Sequence, residues 1–406
     1  MNKLTEYYDV VVVGAGMTGA AAALGFAQEG MRVALLEKAE PTAFDANSAP
    51  DVRISAISRS SVDLLKQLGA WQHVEAMRSA PYRQLETWEE EGSNVVFDAH
   101  DLGLPELGFM VENRILQLAL WQECEKYANL ERICPAQLLY LYQPKGQKEW
   151  VVSLDDGREL QAKLVIGADG ANSQVRKLAG IGSRGWQYRQ SCMLITVQTA
   201  GAQQDKTWQQ FFPSGPRAFL PLYDHWASLV WYDSPAKIRR LQSMSMEQLT
   251  GAITEAFPER LGEVTAYASG AFPLTRHHAN RYVIEGLALV GDAAHTINPL
   301  AGQGVNLGYR DVDVLLKVVT QAKEYLEPWS SVEVLKRYQR RRLPDNLVMQ
   351  AGMDAFYMAF SETLPGLKML RNLGLMAAQR AGEAKKIALK IRIRIINFIL
   401  NNLSCG

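Results

Sequence analysis

The residues of this chain best suited to chemistry fall in three short stretches, far apart along its 406 positions. The first, Gly14-Ala-Gly-Met-Thr-Gly19, follows the β-branched run Val10 to Val13 and leads into an Ala-rich helical stretch. It is G-x-G-x-x-G in a strand-turn-helix setting. Gly14 permits the tight turn, Gly16 lets the backbone approach a pyrophosphate, and Gly19 lets the helix pack closely on the strand. Glu37 ends the next apolar run, about 20 residues on, where an acid accepts from a ribose hydroxyl. The second stretch is Gly167-Ala-Asp-Gly170 with Arg176, at the end of another buried run from Leu164. The third is Gly291-Asp-Ala-Ala-His295, followed by Pro299 and Gly302-Gln-Gly-Val-Asn306. Here Gly302 and Gly304 precede a helix expected at Val305, whose free N–H groups suit an anion or an electron-rich ring. A dinucleotide long enough to touch all three stretches would draw both ends of the chain into one sheet, with Asp169 and Asp292 marking two strand ends that meet it.

Other polar residues admit two readings each. Arg53 is an anion partner beside the phosphates or a solvated surface charge. Arg114 and Gln117 open a helix expected over 113–127, which either leans over the pyrophosphate or faces water. His295 beside Asp292 invites a catalytic assignment, but no nucleophile pattern or metal-ligand spacing accompanies it. No metal is expected. Met349, Met353 and Met358 fill either a lipid pocket or gaps in a core.

The elements around these residues predict an α/β dinucleotide-binding fold interrupted by sheet. Residues 84–100 alternate as strands around the turn Glu91-Gly-Ser-Asn94. Short strands are expected near 130–133, 137–143 and 149–154. Aromatic-rich runs over 192–199, 207–212, 217–222 and 226–232, with a helix near 246–257, read as an inserted antiparallel sheet. After Asn306 the pattern is helical.

Composition narrows the class. With 43 basic and 43 acidic residues, the chain carries no global charge that would attract nucleic acid. Cys124, Cys134, Cys192 and Cys405 lack metal spacing and are too few for a disulfide framework, as in a reducing cytoplasm. The short polar start, Met1 to Asp9, suggests no signal peptide. No apolar run reaches the roughly 20 residues that span a bilayer.

Taken together, the three stretches resemble the single-component FAD aromatic hydroxylases, and Arg53-Ile-Ser-Ala-Ile-Ser58 narrows the resemblance to the ubiquinone-biosynthesis branch. Thr207-Trp-Gln-Gln-Phe211, Gly215 to Leu222 and Trp226 to Pro235 look like the members acting on demethoxyubiquinol. The resemblance covers nearly the whole chain. It implies a glutathione-reductase-like FAD-binding Rossmann domain, an inserted antiparallel-sheet substrate domain and a C-terminal helical region. The implied segments are 1–80, 111–182 and 276–345 for FAD, 81–110 and 183–275 for substrate, and 346–406 for the C-terminal helices. The implied activity is hydroxylation of a prenylated benzoquinol with NAD(P)H and O2, through a flavin C4a-hydroperoxide. By correspondence, Gly14, Gly16, Gly19, Glu37, Arg53, Arg114 and Asp169 would hold the AMP and pyrophosphate side. Asp292 would take the ribityl chain, Gly304 and Val305 would face the isoalloxazine, and Pro299 would sit on a substrate-facing loop. No side-chain base is assigned, and the histidine at His295 looks structural. A single fingerprint argues against a second Rossmann lobe for the nicotinamide. Two alternatives stay open: hydroxylation at another ring position, and a flavoprotein scaffold among other ubiquinone-biosynthesis proteins.

The C-terminal stretch bears on location. From Arg371 to Gly406 there are seven Lys or Arg and one Glu. On a helix, Lys386, Lys390, Arg394, Asn397 and Asn401 form one stripe and Ile387, Ile391, Ile395, Phe398 and Ile399 another, as for a basic amphipathic helix on an anionic membrane, or one docked on the core with a solvated basic face. Exposing a tail of eight isoprene units to water would cost about 30 kcal/mol at about 0.8 per carbon, above the ceiling of about 18 to 21 kcal/mol for non-covalent binding. The expected location is therefore cytoplasmic, peripheral at the inner membrane face.

Overall fold

The computed structural model describes residues 6–296 and 304–361. Pro299, Gly302 and the basic stretch from Arg371 lie outside the described residues. The chain divides into two compact units. One gathers Met1–Ser79, Val111–Tyr188 and Leu274–Met353, and the other is centred on Ala80–Met110 and Arg189–Pro273.

In the first unit, Glu6–Val13 is the central strand of an eight-stranded sheet. Val10, Val11 and Val12 are fully buried, as expected for a β-branched run covered on both faces. The strand pairs in parallel with Glu159–Gly167 on one side and Val33–Leu36 on the other. Leu287–Leu289 extends the parallel array beyond the first neighbour, and Leu130–Ile133 extends it beyond the second. Val13 lies opposite both Leu36 and Gly167, and Gly167 opposite Leu289. One register thus brings four strand ends to a common edge, where open α/β sheets bind their ligands. Trp150–Leu154 and Leu138–Tyr142 add an antiparallel flap. The helix Met17–Gln28 buries Ala20 through Ala27 and packs against Asn113–Cys124 and Gly304–Glu324. The helix Val332–Ser361 runs on through Pro344.

In the second unit, the sheet runs Val95–Asp98, Gln84–Trp88, Lys206–Gln210, Arg217–Pro221, Trp226–Asp233, then the long strands Ser183–Thr199 and Val264–Ala279. It is not purely antiparallel: Gln84–Trp88 pairs in parallel with Lys206–Gln210. Pro235–Gln242 and Met246–Ala256 supply Ile238, Leu241, Leu249 and Ile253 to a core with Trp208, Phe219 and Trp231. The first of these helices was not anticipated, although Ser234 as N-cap with Pro235 at the first helical position signals it.

Candidate functional site

The common edge of the parallel sheet begins at the fingerprint turn. Gly14 has φ +98, and a Cβ there would lie 2.6 Å from the Ala168 carbonyl oxygen. A Cβ on Gly19 would lie 1.8 Å from the Gly14 oxygen, so only glycine lets the helix start this close to the strand. A Cβ on Gly16 meets nothing within 4 Å. Gly16 caps a helix with no side-chain cap and no acid in its first turn, which leaves N–H groups and the positive end of the dipole facing open space. Glu37 steadies this turn: one carboxylate oxygen accepts from Ala15 N at 2.7 Å and the other from Lys38 N at 2.9 Å. The Ala15 carbonyl accepts from Gln117 Nε2 at 2.9 Å and Trp121 Nε1 at 2.8 Å. The Ala15 peptide is therefore held from both sides.

Gln117, not Arg114, reaches the fingerprint. Arg114 donates to both oxygens of Asp51, at 2.8 and 3.1 Å, and to the Ala43 carbonyl at 3.0 Å, securing the loop that leads to Arg53. Arg53 is exposed and lies close enough to Asp292 to favour its ionised form.

At the next strand end, Asp169 works as a cap. It accepts from Ser173 Oγ at 2.5 Å, Gln174 N at 2.6 Å and Val175 N at 3.1 Å, at the start of the helix Gln174–Leu178. Arg176, buried in that helix, donates to the carbonyls of Ala171 at 2.9 Å and Ala293 at 2.8 Å, and so ties the second stretch to the third. Asp292 is water-accessible, and its carboxylate has no hydrogen-bond partner among the described residues. Crowding by surrounding protein pushes it above the ordinary carboxylate value, with His295 and Arg53 opposing. Gly304 and Val305, both half-buried, open a 21-residue helix. Thr18 wedges between that helix and the strand end: a Cβ on Gly308 would lie 2.7 Å from Thr18 Oγ1. Two helix starts and Gly291 thus converge at one end of the edge.

His295 is structural. Its Nε2 sits 2.5 Å from Asp311 Oδ2, which also accepts from Gly291 N at 3.0 Å. Asp311 Oδ1 accepts from Arg342 Nε at 2.8 Å and Asn346 Nδ2 at 3.3 Å. Burial acts to raise the Asp311 carboxyl, but His295 and Arg342 outweigh it and hold it at about 2. Asn306 accepts from Ser58 N at 2.9 Å and Ser61 Oγ at 2.7 Å, and donates to the Ala56 carbonyl at 2.8 Å, fastening the strand Ile54–Ser58. The parts played by Asp311, Arg342 and Asn346 escaped sequence reading, since no local pattern separates them from ordinary helix-surface polar residues.

An open phosphate cradle, an acid at the neighbouring strand end, a partnerless carboxylate and a second helix start lie along one edge. This is the donor and acceptor set an extended FAD requires. Residues 7–351 match the family described as FAD binding domain. The chain is 61% identical over 389 residues to the 3-demethoxyubiquinol 3-hydroxylase of Escherichia coli (strain K12), covering 96% of this chain and 98% of that one. It is 33% identical to the mitochondrial ubiquinone biosynthesis monooxygenase COQ6 of Rattus norvegicus, covering 95% and 90%. Among solved structures, p-nitrophenol 4-monooxygenase PnpA from Pseudomonas putida DLL-E4 shares the fold, with TM-score 0.79 at 19% identity over 96% of this chain and 98% of that one.

Proposed function

The chain belongs to the FAD binding domain family, and from that premise we propose that it hydroxylates the ring of a prenylated benzoquinol of the 3-demethoxyubiquinol type. It is an FAD-dependent aromatic-ring monooxygenase that uses NAD(P)H and O2. The near full-length similarity to the 3-demethoxyubiquinol 3-hydroxylase carries the choice of ring. When bound, FAD supplies electron transfer from the nicotinamide and activation of O2.

In this reading the residues divide the work of holding and shielding. The N–H groups from Gly14 to Gly19 receive the diphosphate and Glu37 the adenosine ribose. Arg53 adds charge. Arg114 acts through Asp51 and Asp169 through its helix cap, each fixing a loop at the edge. Asp292 accepts from the ribityl hydroxyls, and the backbone of Gly304 and Val305 faces the isoalloxazine. Pro299 belongs to a substrate-facing loop. Segments 1–80, 111–182 and 276–345 serve FAD, 81–110 and 183–275 the quinol, and 346–406 the C-terminal helices. No side chain is assigned as a base, because an electron-rich quinol ring attacks an electrophilic oxygen without one.

The test supplies the FAD-loaded protein with NAD(P)H, O2 and a short-chain demethoxyubiquinol analogue. The expected result is a substrate-dependent rise in NAD(P)H oxidation and a product heavier by one oxygen. A product hydroxylated at another carbon would move the assignment within the pathway, and no hydroxylated product would favour a scaffold role. The reading includes peripheral membrane contact, since the prenyl tail stays in lipid. Among the described residues no helix is long and apolar enough to cross a membrane. Sedimentation with anionic liposomes, full chain against a chain ended after Ala384, tests whether the basic C-terminal stretch makes that contact. Equal pelleting of the two would remove it from that role.

A further inference from the structure

The co-substrate NAD(P)H must reach the flavin, yet the sequence holds one dinucleotide fingerprint, and FAD uses it. Within the first unit the structure offers an anion surface of another kind. Residues 183–189 and 274–281 contain four arginines, two histidines and no acid, in a chain with no net charge as a whole. Except for Asn280 and Arg281, these segments lie on the paired strands Ser183–Thr199 and Val264–Ala279. Gly185 lets the two strands close up: a Cβ there would lie 2.2 Å from the Arg276 oxygen. The Arg276 guanidinium stacks on Trp186, 4.4 Å from the ring centroid, and donates to Gln350 Oε1 at 3.4 Å. Trp186 nevertheless remains 52% exposed, a large aromatic surface left open to water. Arg184 beside it is exposed and has no acidic partner among the described residues.

The position of this ribbon matters as much as its charge. His277 pairs with Thr296 and His278 with His295, so Arg276 adjoins the short strand that follows Asp292. Gln350 braces the junction, donating to the carbonyls of His277 at 3.2 Å and Thr296 at 3.3 Å. We propose that Arg184, Trp186 and Arg276 form the docking site for the adenosine diphosphate part of NAD(P)H, with the adenine stacked on Trp186 and the diphosphate against the two guanidinium groups. Aromatic stacking and charge-assisted hydrogen bonds are the two recognition modes such a ligand accepts without a glycine-rich turn. Burial, with nearby positive charge, pushes His277 and His278 down to about 4, so the arginines carry the attraction near neutral pH.

The inference rests on the monooxygenase reading but not on which quinol is the substrate. The experiment uses the FAD-loaded protein with Trp186→Ala, Arg276→Ala and Arg184→Ala. Anaerobic stopped-flow reduction of the flavin by NADPH and by NADH gives the Kd and limiting rate, with the quinol analogue at one fixed concentration throughout. Calorimetry with NADP+ reads binding without any turnover. Each substitution is expected to raise both dissociation constants about tenfold, leaving FAD content and limiting rate unchanged. Arg276→Lys should recover part of the loss, because it keeps the charge and gives up the planar stack. If Trp186→Ala lowers FAD content, Trp186→Phe with Arg184→Gln takes its place in the same measurements. Constants within twofold of the parent in the triple variant overturn the proposal. So does a triple variant that loses sedimentation with anionic liposomes while keeping its NADP+ affinity, which would make the ribbon a lipid contact. A wild-type protein that hydroxylates a different ring leaves this comparison intact.

Discussion

At the edge of the parallel sheet, order depends on the absence of side chains. A single methyl on Gly19 would meet backbone oxygen at 1.8 Å, and the Ala15 peptide is pinned by Glu37, Gln117 and Trp121. In the antiparallel unit, order depends on bulk. Trp208 stacks on Phe219 with centroids 5.5 Å apart, and Trp88 and Trp231 complete an aromatic core capped by Arg260, which pairs with Glu86 and lies over the Trp88 ring. Backbone in contact with backbone has nowhere to relax, whereas large side chains share a volume and can repack. The first arrangement fixes atoms to a fraction of an ångström, as a cofactor requires. The second fixes a surface rather than individual atoms.

This contrast predicts a ranking of substitutions. Gly19→Ala should have the largest effect, with loss of FAD retention and of most folded protein, read from the flavin absorbance of the purified chain. Next comes Asp311→Ala, which leaves Arg342 only Asp345 and Asn346 as partners and unties Gly291 N and His295; removing one partner of a buried ion pair costs about 3 to 5 kcal/mol. Chemical denaturation measures that loss. Glu37→Ala should follow, weakening FAD by about 10- to 100-fold, from about 1.5 to 3 kcal/mol for a hydrogen bond to a charged acceptor. Equilibrium dialysis gives the constant, and an unchanged affinity would mean the ribose is held elsewhere. Phe219→Leu should be the mildest, below about 1.5 kcal/mol, since the aromatic cluster keeps most of its volume. If it cost more than Asp311→Ala, the distinction between the two regions would not stand.

A pH experiment sharpens the same contrast, because the first unit alone contains the depressed histidines. His277 and His278 have folded values of about 4, below the ordinary 6.5. The unfolded chain therefore binds protons first, so stability should fall as pH drops from 6.5 to 4. Replacing both by Gln should flatten that slope, measured from denaturation midpoints at pH 7 and pH 5. An unchanged slope would trace the acid sensitivity to other groups.

The sequence by itself determined whatever is written in neighbouring residues. The run Val10 to Val13 with Gly14, Gly16 and Gly19 dictates strand, turn and helix, because period and glycine placement act on the local backbone. The Gly-Asp punctuation at Asp169 and Asp292 marks strand ends for the same reason. Only the tertiary structure decided which side chains meet across long separations. Gln117 rather than Arg114 touches the fingerprint, Asp169 spends its oxygens on a helix cap, and Asp311 draws Arg342 and Asn346 to the loop of His295. Gln84–Trp88 joins the second sheet in parallel with a strand over a hundred residues later. Those partners are chosen by how the strands close into sheets and which helix face turns inward, and no spacing along the chain encodes a contact between residues that only folding brings together.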